Sequence, residues 1–215
     1  MAKKPSNSAK PAAQPAGSDP EAGMIDRIID AALAEAAALG WRNVSMDAVA
    51  ARAALPLGAV LEQVPTRAHL VARLYDRLDH RMLAGLKALD EADSVRDRLF
   101  DVVMKRFDAM NTDREGMRAL VTGLRFDPPA MAVGLCRADR TAAVMLAAAG
   151  VSPDGLLGCA RIQGMKVVLL CALRGWMEDD STDLGKTMAA LDRALERAER
   201  VAGFRGFRRP AQNAA

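Results

Sequence analysis

The chain has 215 residues, 51% apolar and 4% aromatic, with 30 basic and 27 acidic side chains and a formal net charge of +3. That is ample for a packed core, while the scarcity of aromatics and the abundance of alanine argue against an all-β sandwich. The longest uncharged run, Thr141 to Pro153, is 13 residues, short of the ~20 that a membrane helix needs.

Residues 1–23 are rich in Pro, Ala, Ser and Lys without periodicity and read as a disordered arm. Ile25, Ile28, Ile29, Ala32, Leu33, Ala36 and Leu39 then recur with helical period, and Gly40 stops the helix. Ser45 caps a short second helix that runs to about Ala53, with Asp47 in its first turn. Pro56 opens a third, Leu57 to Val64, which Pro65 ends. Thr66 caps a long fourth helix with Leu70, Leu74, Leu78, Met82 and Leu86 along one stripe. Asp93 or Ser94 opens a fifth, and Arg114 to Leu124 is a shorter sixth. Pro128 and Pro129 start a seventh ending near Gly150, Ser152 and Pro153 an eighth reaching Glu178, and Ser181 or Thr182 a ninth. No period-two strand pattern is visible, so the expected fold class is all-α. The residues after 202 read as a second disordered tail.

Dividing the charge is instructive. Residues 1–23 carry +1, residues 203–215 carry +3, and the body between them carries −1. A compact basic face would have left an excess in the body. No HExxH, GxSxG or phosphate-cradling glycine loop is present around His69, His80 or elsewhere. Catalytic residues, cofactors and metal ligands are therefore all expected to be none. Cys136, Cys159 and Cys171 form no CxxC pair. With no apolar signal-peptide core behind the N-terminal lysines, they suggest buried thiols in a reducing cytoplasm.

Two short helices separated by Ala53–Leu55, after a longer first helix, are a helix-turn-helix signature. Residues 24–83 resemble the N-terminal domain of the TetR family of bacterial regulators. The resemblance rests on Ile28-Ile29-Asp30-Ala31-Ala32 with Gly40-Trp41, on Ser45-Met46-Asp47-Ala48-Val49-Ala50, and on Pro65-Thr66-Arg67-Ala68-His69-Leu70-Val71. It implies a TetR-like fold with a helix-turn-helix domain over 24–70 and a ligand-binding and dimerisation domain over 71–202. It also implies DNA and a small apolar effector as partners, and a homodimer through the last two helices.

The third helix departs from that family's pattern. Leu61 and Val64 stand where the family has Tyr and Phe, and Pro56 replaces the capping hydroxyl. From Ala53 to Thr66 there is no Lys or Arg and one acid, Glu62. Seven bases over 24–83 are cancelled by seven acids. Phosphate neutralisation and base-edge hydrogen bonds supply DNA affinity and specificity. The groups left to make such contacts are Arg52, Gln63, Thr66 and Arg67.

A second resemblance covers roughly residues 80–200. Val95-Arg96-Asp97-Arg98-Leu99, Asp113-Arg114-Glu115, Trp176 with Asp179-Asp180-Ser181, Thr187, and Leu191-Asp192-Arg193 look like the lipid-binding accessory family of ubiquinone biosynthesis. That family is built on the TetR fold and does not use its helix-turn-helix for DNA. The alternative function it implies is binding of a lipid or isoprenoid. Cavity candidates are Met104, Phe107, Met110, Met165 and Leu169, with Met131, Met145 and Cys171, because flexible or bulky apolar groups adapt to varied ligands. Cys159 and Cys171 are expected in the core. Gly158, Gly164 and Gly175, with the apolar face of the ninth helix, are the expected dimer surface.

Overall fold

The computed structural model describes residues 20–86 and 93–203. Among them every regular element is helical. The arm expected over 1–23 lies outside the described residues up to 19, and helix α1 already begins at Pro20, running to Leu39. The expected tail lies outside them from 204 onward.

Gly40 ends α1 at φ +79°, a conformation only glycine adopts without strain. A 3-10 turn, Trp41–Asn43, leads to α2, Met46–Ala53. Ser45 Oγ caps α2 by accepting from the Ala48 amide at 3.2 Å. Ala54 turns left-handed, and α3, Leu57–Gln63, follows. Thr66 caps α4, Arg67–Ala84, and Ser94 caps α5, Val95–Asn111. After α6, Arg114–Gly123, comes a 3-10 turn, Leu124–Phe126. Asp127 caps α7, Pro128–Ala148. The pair α8, Gly155–Met177, and α9, Gly185–Gly203, closes the fold.

Two helices start later than their sequence signals. Gly155 takes φ +70°, so helical geometry in α8 begins only past the Ser152–Asp154 turn. Ser181 does not open α9. It is held in a turn by Asp179, which accepts from the Ser181 amide at 3.1 Å and then from the Thr187 amide at 2.7 Å. A buried carboxylate eight residues away thus caps α9.

In α1–α3 the core is Ile28, Ile29, Leu33, Val49, Val60 and Val64. In α4–α9 it is built around Phe107, Met145, Leu146, Trp176 and Leu191. The boundary expected after Leu70 falls inside α4, a single helix. Two glycines of α6 fit it against the first elements. A Cβ on Gly116 would stand 2.4 Å from the Leu33 carbonyl oxygen, and one on Gly123 2.5 Å from Trp41 Cβ.

Three expectations are corrected. The apolar face of α9 is not a free dimer surface: Leu184, Leu191 and Leu195 are buried within their own chain, and a Cβ on Gly175 would meet Ala190 Cβ at 2.6 Å where α8 and α9 pack. Gly158 is covered likewise by the Pro153 carbonyl, and Gly164 alone of the three faces open space. The thiols are not buried: Cys136 and Cys159 are exposed and Cys171 is half-buried, because they lie on the outer sides of α7 and α8. Finally, α8 is long and apolar enough, by length and composition, to cross a bilayer. Counting uncharged runs misses it because Arg161, Lys166 and Arg174 interrupt the helix.

Candidate functional site: an apolar cavity beneath a helix-turn-helix

The first three helices form a helix-turn-helix in which several arginines are held by structural partners. Arg27 Nη2 donates to the Ala53 carbonyl at 2.6 Å and pins the turn between α2 and α3. Arg52 Nε pairs with the buried Glu35 at 2.6 Å. Thr66 caps α4 through the His69 amide and holds His69 Nδ1 at 2.8 Å. Arg67 Nε pairs with Asp127 at 2.9 Å, and its Nη1 donates to the Arg42 carbonyl at 3.0 Å. Arg77 bridges to Asp30 on α1 and to Asp113 before α6. Of the seven bases over 24–83, Arg73 alone has no partner among the described residues.

Three of the four residues expected to touch DNA, Arg52, Thr66 and Arg67, are thus already engaged within the chain. Gln63 is half-buried and makes no hydrogen bond among the described residues. The outer side of α3 presents Leu57 and Leu61, one turn apart and both exposed.

Asp127 is the junction between this head and the rest. It accepts from Trp41 Nε1 at 3.2 Å and from Arg67, and it caps α7 through the Ala130 amide at 3.3 Å. Sequence reading missed it, because its partners come from positions 86 and 60 residues away.

Below the junction lies a cavity of about 480 Å³, within the usual range for small-molecule sites. Leu74 and Leu78 of α4, Phe107 and Met110 of α5, and Leu120 of α6 form its inner wall. Leu135 of α7 and Val167, Leu169 and Leu170 of α8 form the outer one. Of the five cavity residues expected from the sequence, Phe107, Met110 and Leu169 line this space, and so does Met131. Met104 and Met165 do not. Met165 is packed in the core, and Met104 is half-buried outside the lining. Met145 is core as well, and Cys171 is outside the lining.

The cavity has one polar corner, which periodicity did not reveal. It comprises Tyr75, Arg106 and Thr141. Arg106 pairs with Asp79 and lies over the Tyr75 ring at 5.1 Å. Thr141 Oγ1 donates to Asp79 at 2.9 Å. Burial pushes the Tyr75 hydroxyl above its ordinary value. The Arg106 charge opposes that shift and the Asp79 charge adds to it. One signal was available: Tyr75 is the only tyrosine of the chain and stands beside the apolar stripe of α4.

Of the residues of the second resemblance, Arg114, Asp179, Asp180, Ser181 and Thr187 meet at the α8–α9 connection, which Arg118 also holds. Arg114 Nη1 donates to the Ser181 carbonyl at 3.2 Å, and Arg118 to Asp180 at 3.0 Å and the Asp179 carbonyl at 2.9 Å. Asp192 pairs with Arg96 at 2.7 Å, across from α9 to α5. Asp179 is fully buried. Burial opposes its ionisation but is outweighed by hydrogen bonds from the Ser181 and Thr187 side chains and amides, which hold its carboxyl well below the usual range. Among the described residues no group of three His, Cys, Asp or Glu side chains could hold a metal ion.

A three-helix head on a helical body with an apolar cavity is the architecture of the TetR-type transcriptional regulators, and the chain has that fold. It is similar to the TetR transcriptional regulator from Nitrosomonas europaea ATCC 19718, with 24% identity, a TM-score of 0.67, and 82% of this chain and 98% of that one covered. It is similar also to a TetR transcriptional regulator from Rhodococcus sp. RHA1, with 19% identity, a TM-score of 0.58, and 84% and 97% covered. A third likeness is the multidrug binding protein EbrR complexed with imidazole, with 23% identity, a TM-score of 0.50, and 82% and 90% covered. No family model and no curated protein matches the sequence.

Proposed function

We propose that the protein is a homodimeric, non-enzymatic transcriptional regulator that responds to a small apolar molecule. The observation that carries this reading is the course of α4. Its first residue, Arg67, is tied to the head–body junction, and one to three turns on, Leu74, Tyr75 and Leu78 line the cavity. A ligand that shifts α4 in the cavity moves the head by the same rigid helix, provided it binds the two positions with different affinity. Dimerisation uses the outer face of α8. Leu156, Val167 and Leu170 are exposed there, and Gly164 leaves room for a close crossing. Exposed Asp154 and Arg174 lie ten residues either side of Gly164, so a two-fold antiparallel crossing sets each toward its opposite charge.

The test is selection from a random duplex pool by the full-length protein at low salt. Enrichment of a sequence supports the regulator. No enrichment, with no salt-dependent retention of random duplex, overturns it. Light scattering at micromolar concentration tests the dimer, and a monomer would remove the two-headed mechanism.

A second reading is a lipid-binding protein on the same fold that does not contact DNA. It is favoured by the engagement of Arg52, Thr66 and Arg67 inside the head and by the apolar outer side of α3.

A further inference from the structure

Resting on the reading that the cavity takes a ligand, the geometry points to the chemistry of that ligand: an uncharged amphiphile with an apolar body and one hydrogen-bond-accepting oxygen, of the carbonyl type, seated against the Tyr75 hydroxyl.

Charge is excluded by pairing. Two cations line the cavity, Arg106 and Lys166. Arg106 is neutralised by Asp79 in the inner corner, and Lys166 Nζ by Asp139 at 2.8 Å near the mouth. A carboxylate ligand would add an uncompensated negative charge to an apolar space, and a cation would meet Arg106 with no free carboxylate. Both are costly to bury.

A donor remains. Thr141 directs its proton to Asp79. The Tyr75 hydroxyl makes no hydrogen bond among the described residues and lies on the cavity wall. Burial keeps it protonated, so it donates. Gly134 faces it, and a Cβ there would come into van der Waals contact with the hydroxyl oxygen at 3.8 Å. Tyr75 is half-buried, and a ligand oxygen that accepts from its hydroxyl gains the net worth of one hydrogen bond. Apart from Gln163 and Lys166, which both hold Asp139, the rest of the wall is apolar. At its far side Leu135, Val167 and Leu170 both line the cavity and reach the surface, at 58%, 62% and 67% exposure. A ligand chain can therefore extend from the polar corner toward the α8 face that the proposed dimer covers.

The experiment uses the full-length protein with three probes of equal chain length: decan-2-one, decane and decanoate. Uptake is read by fluorescence and calorimetry, because Trp176 stands 6.4 Å from the cavity residue Phe107. The ketone is expected to bind about five- to tenfold tighter than the alkane, the worth of one net hydrogen bond, and tighter than decanoate. Tyr75→Phe keeps the ring under Arg106 and should remove the ketone preference while leaving decane affinity unchanged. Gly134→Leu fills the space beside the hydroxyl and should weaken uptake of the ketone most. Thermal melts establish that both variants fold. Equal binding of ketone and alkane, a preference for decanoate, or a ketone preference that survives Tyr75→Phe overturns the proposal and leaves the cavity reading standing. Failure of the wild type to take up any probe overturns both.

Discussion

The two halves of α4 belong to one helix but lie in opposite settings. At its start, Thr66 and Arg67 are held by His69, the Arg42 carbonyl and Asp127. Two turns later, Leu74, Tyr75 and Leu78 face a cavity in which one hydroxyl has no protein partner. The head uses its charge to hold itself together and to stay attached. The body balances the charge that lines its cavity and leaves the Tyr75 hydroxyl open on the cavity wall. Within the cavity, the open hydroxyl rather than the paired charges is what a ligand can meet.

The strongest way to break this contrast is to remove the junction. Asp127→Ala should cost about 3 kcal/mol in urea unfolding, because it strands Trp41 Nε1 and Arg67 and uncaps α7 at once. A loss below about 1 kcal/mol would mean that the head is held by packing alone.

Asp179 offers a sharper comparison, since its partners lie within eight residues of it in sequence. Asp179→Asn should cost about 1–2 kcal/mol. The pH dependence has a definite sign. The folded carboxyl titrates below the unfolded one, so its contribution is complete above the ordinary aspartate range of ~4 and is lost as pH falls below it. Urea midpoints between pH 3 and 7 should therefore fall more steeply on the acid side for the wild type than for Asp179→Asn. Parallel curves would remove the proposed role.

The smallest effect is expected on the outer side of α3. Leu61 is exposed, so Leu61→Lys should change stability by no more than ~0.5 kcal/mol. If the head contacts DNA, the same change should steepen the salt dependence of retention by about one unit. An unchanged slope would place α3 away from phosphate.

Much of the fold was legible in the sequence because its signals are local. Ser45, Thr66 and Ser94 cap the helices they precede, and Gly40 stops α1. Local signals failed where the cap came from afar, as with Asp179 for α9. The candidate site was legible only in its apolar half. Phe107, Met110 and Leu169 follow helical period into the cavity, while Met165, one turn before Leu169, is packed in the core and Met104, one turn before Phe107, stays outside the lining. The polar corner could not be read, because Tyr75, Asp79, Arg106 and Thr141 come together only through the packing of α4, α5 and α7. The intrachain partners of Arg52 and Arg67 could not be read for the same reason: Glu35 and Asp127 reach them from distant segments.

The two α6 glycines have a consequence for recombination between related chains. Gly116 and Gly123 let the backbone at Leu33 and the Trp41 side chain approach closer than any side chain would allow. The joint is therefore a matched pair of surfaces rather than a tether. A chimera that borrows a head from another chain must bring a complementary α6 with it, or mutate both sides together. Shuffling at the apparent boundary within α4 alone would leave a seam that does not close.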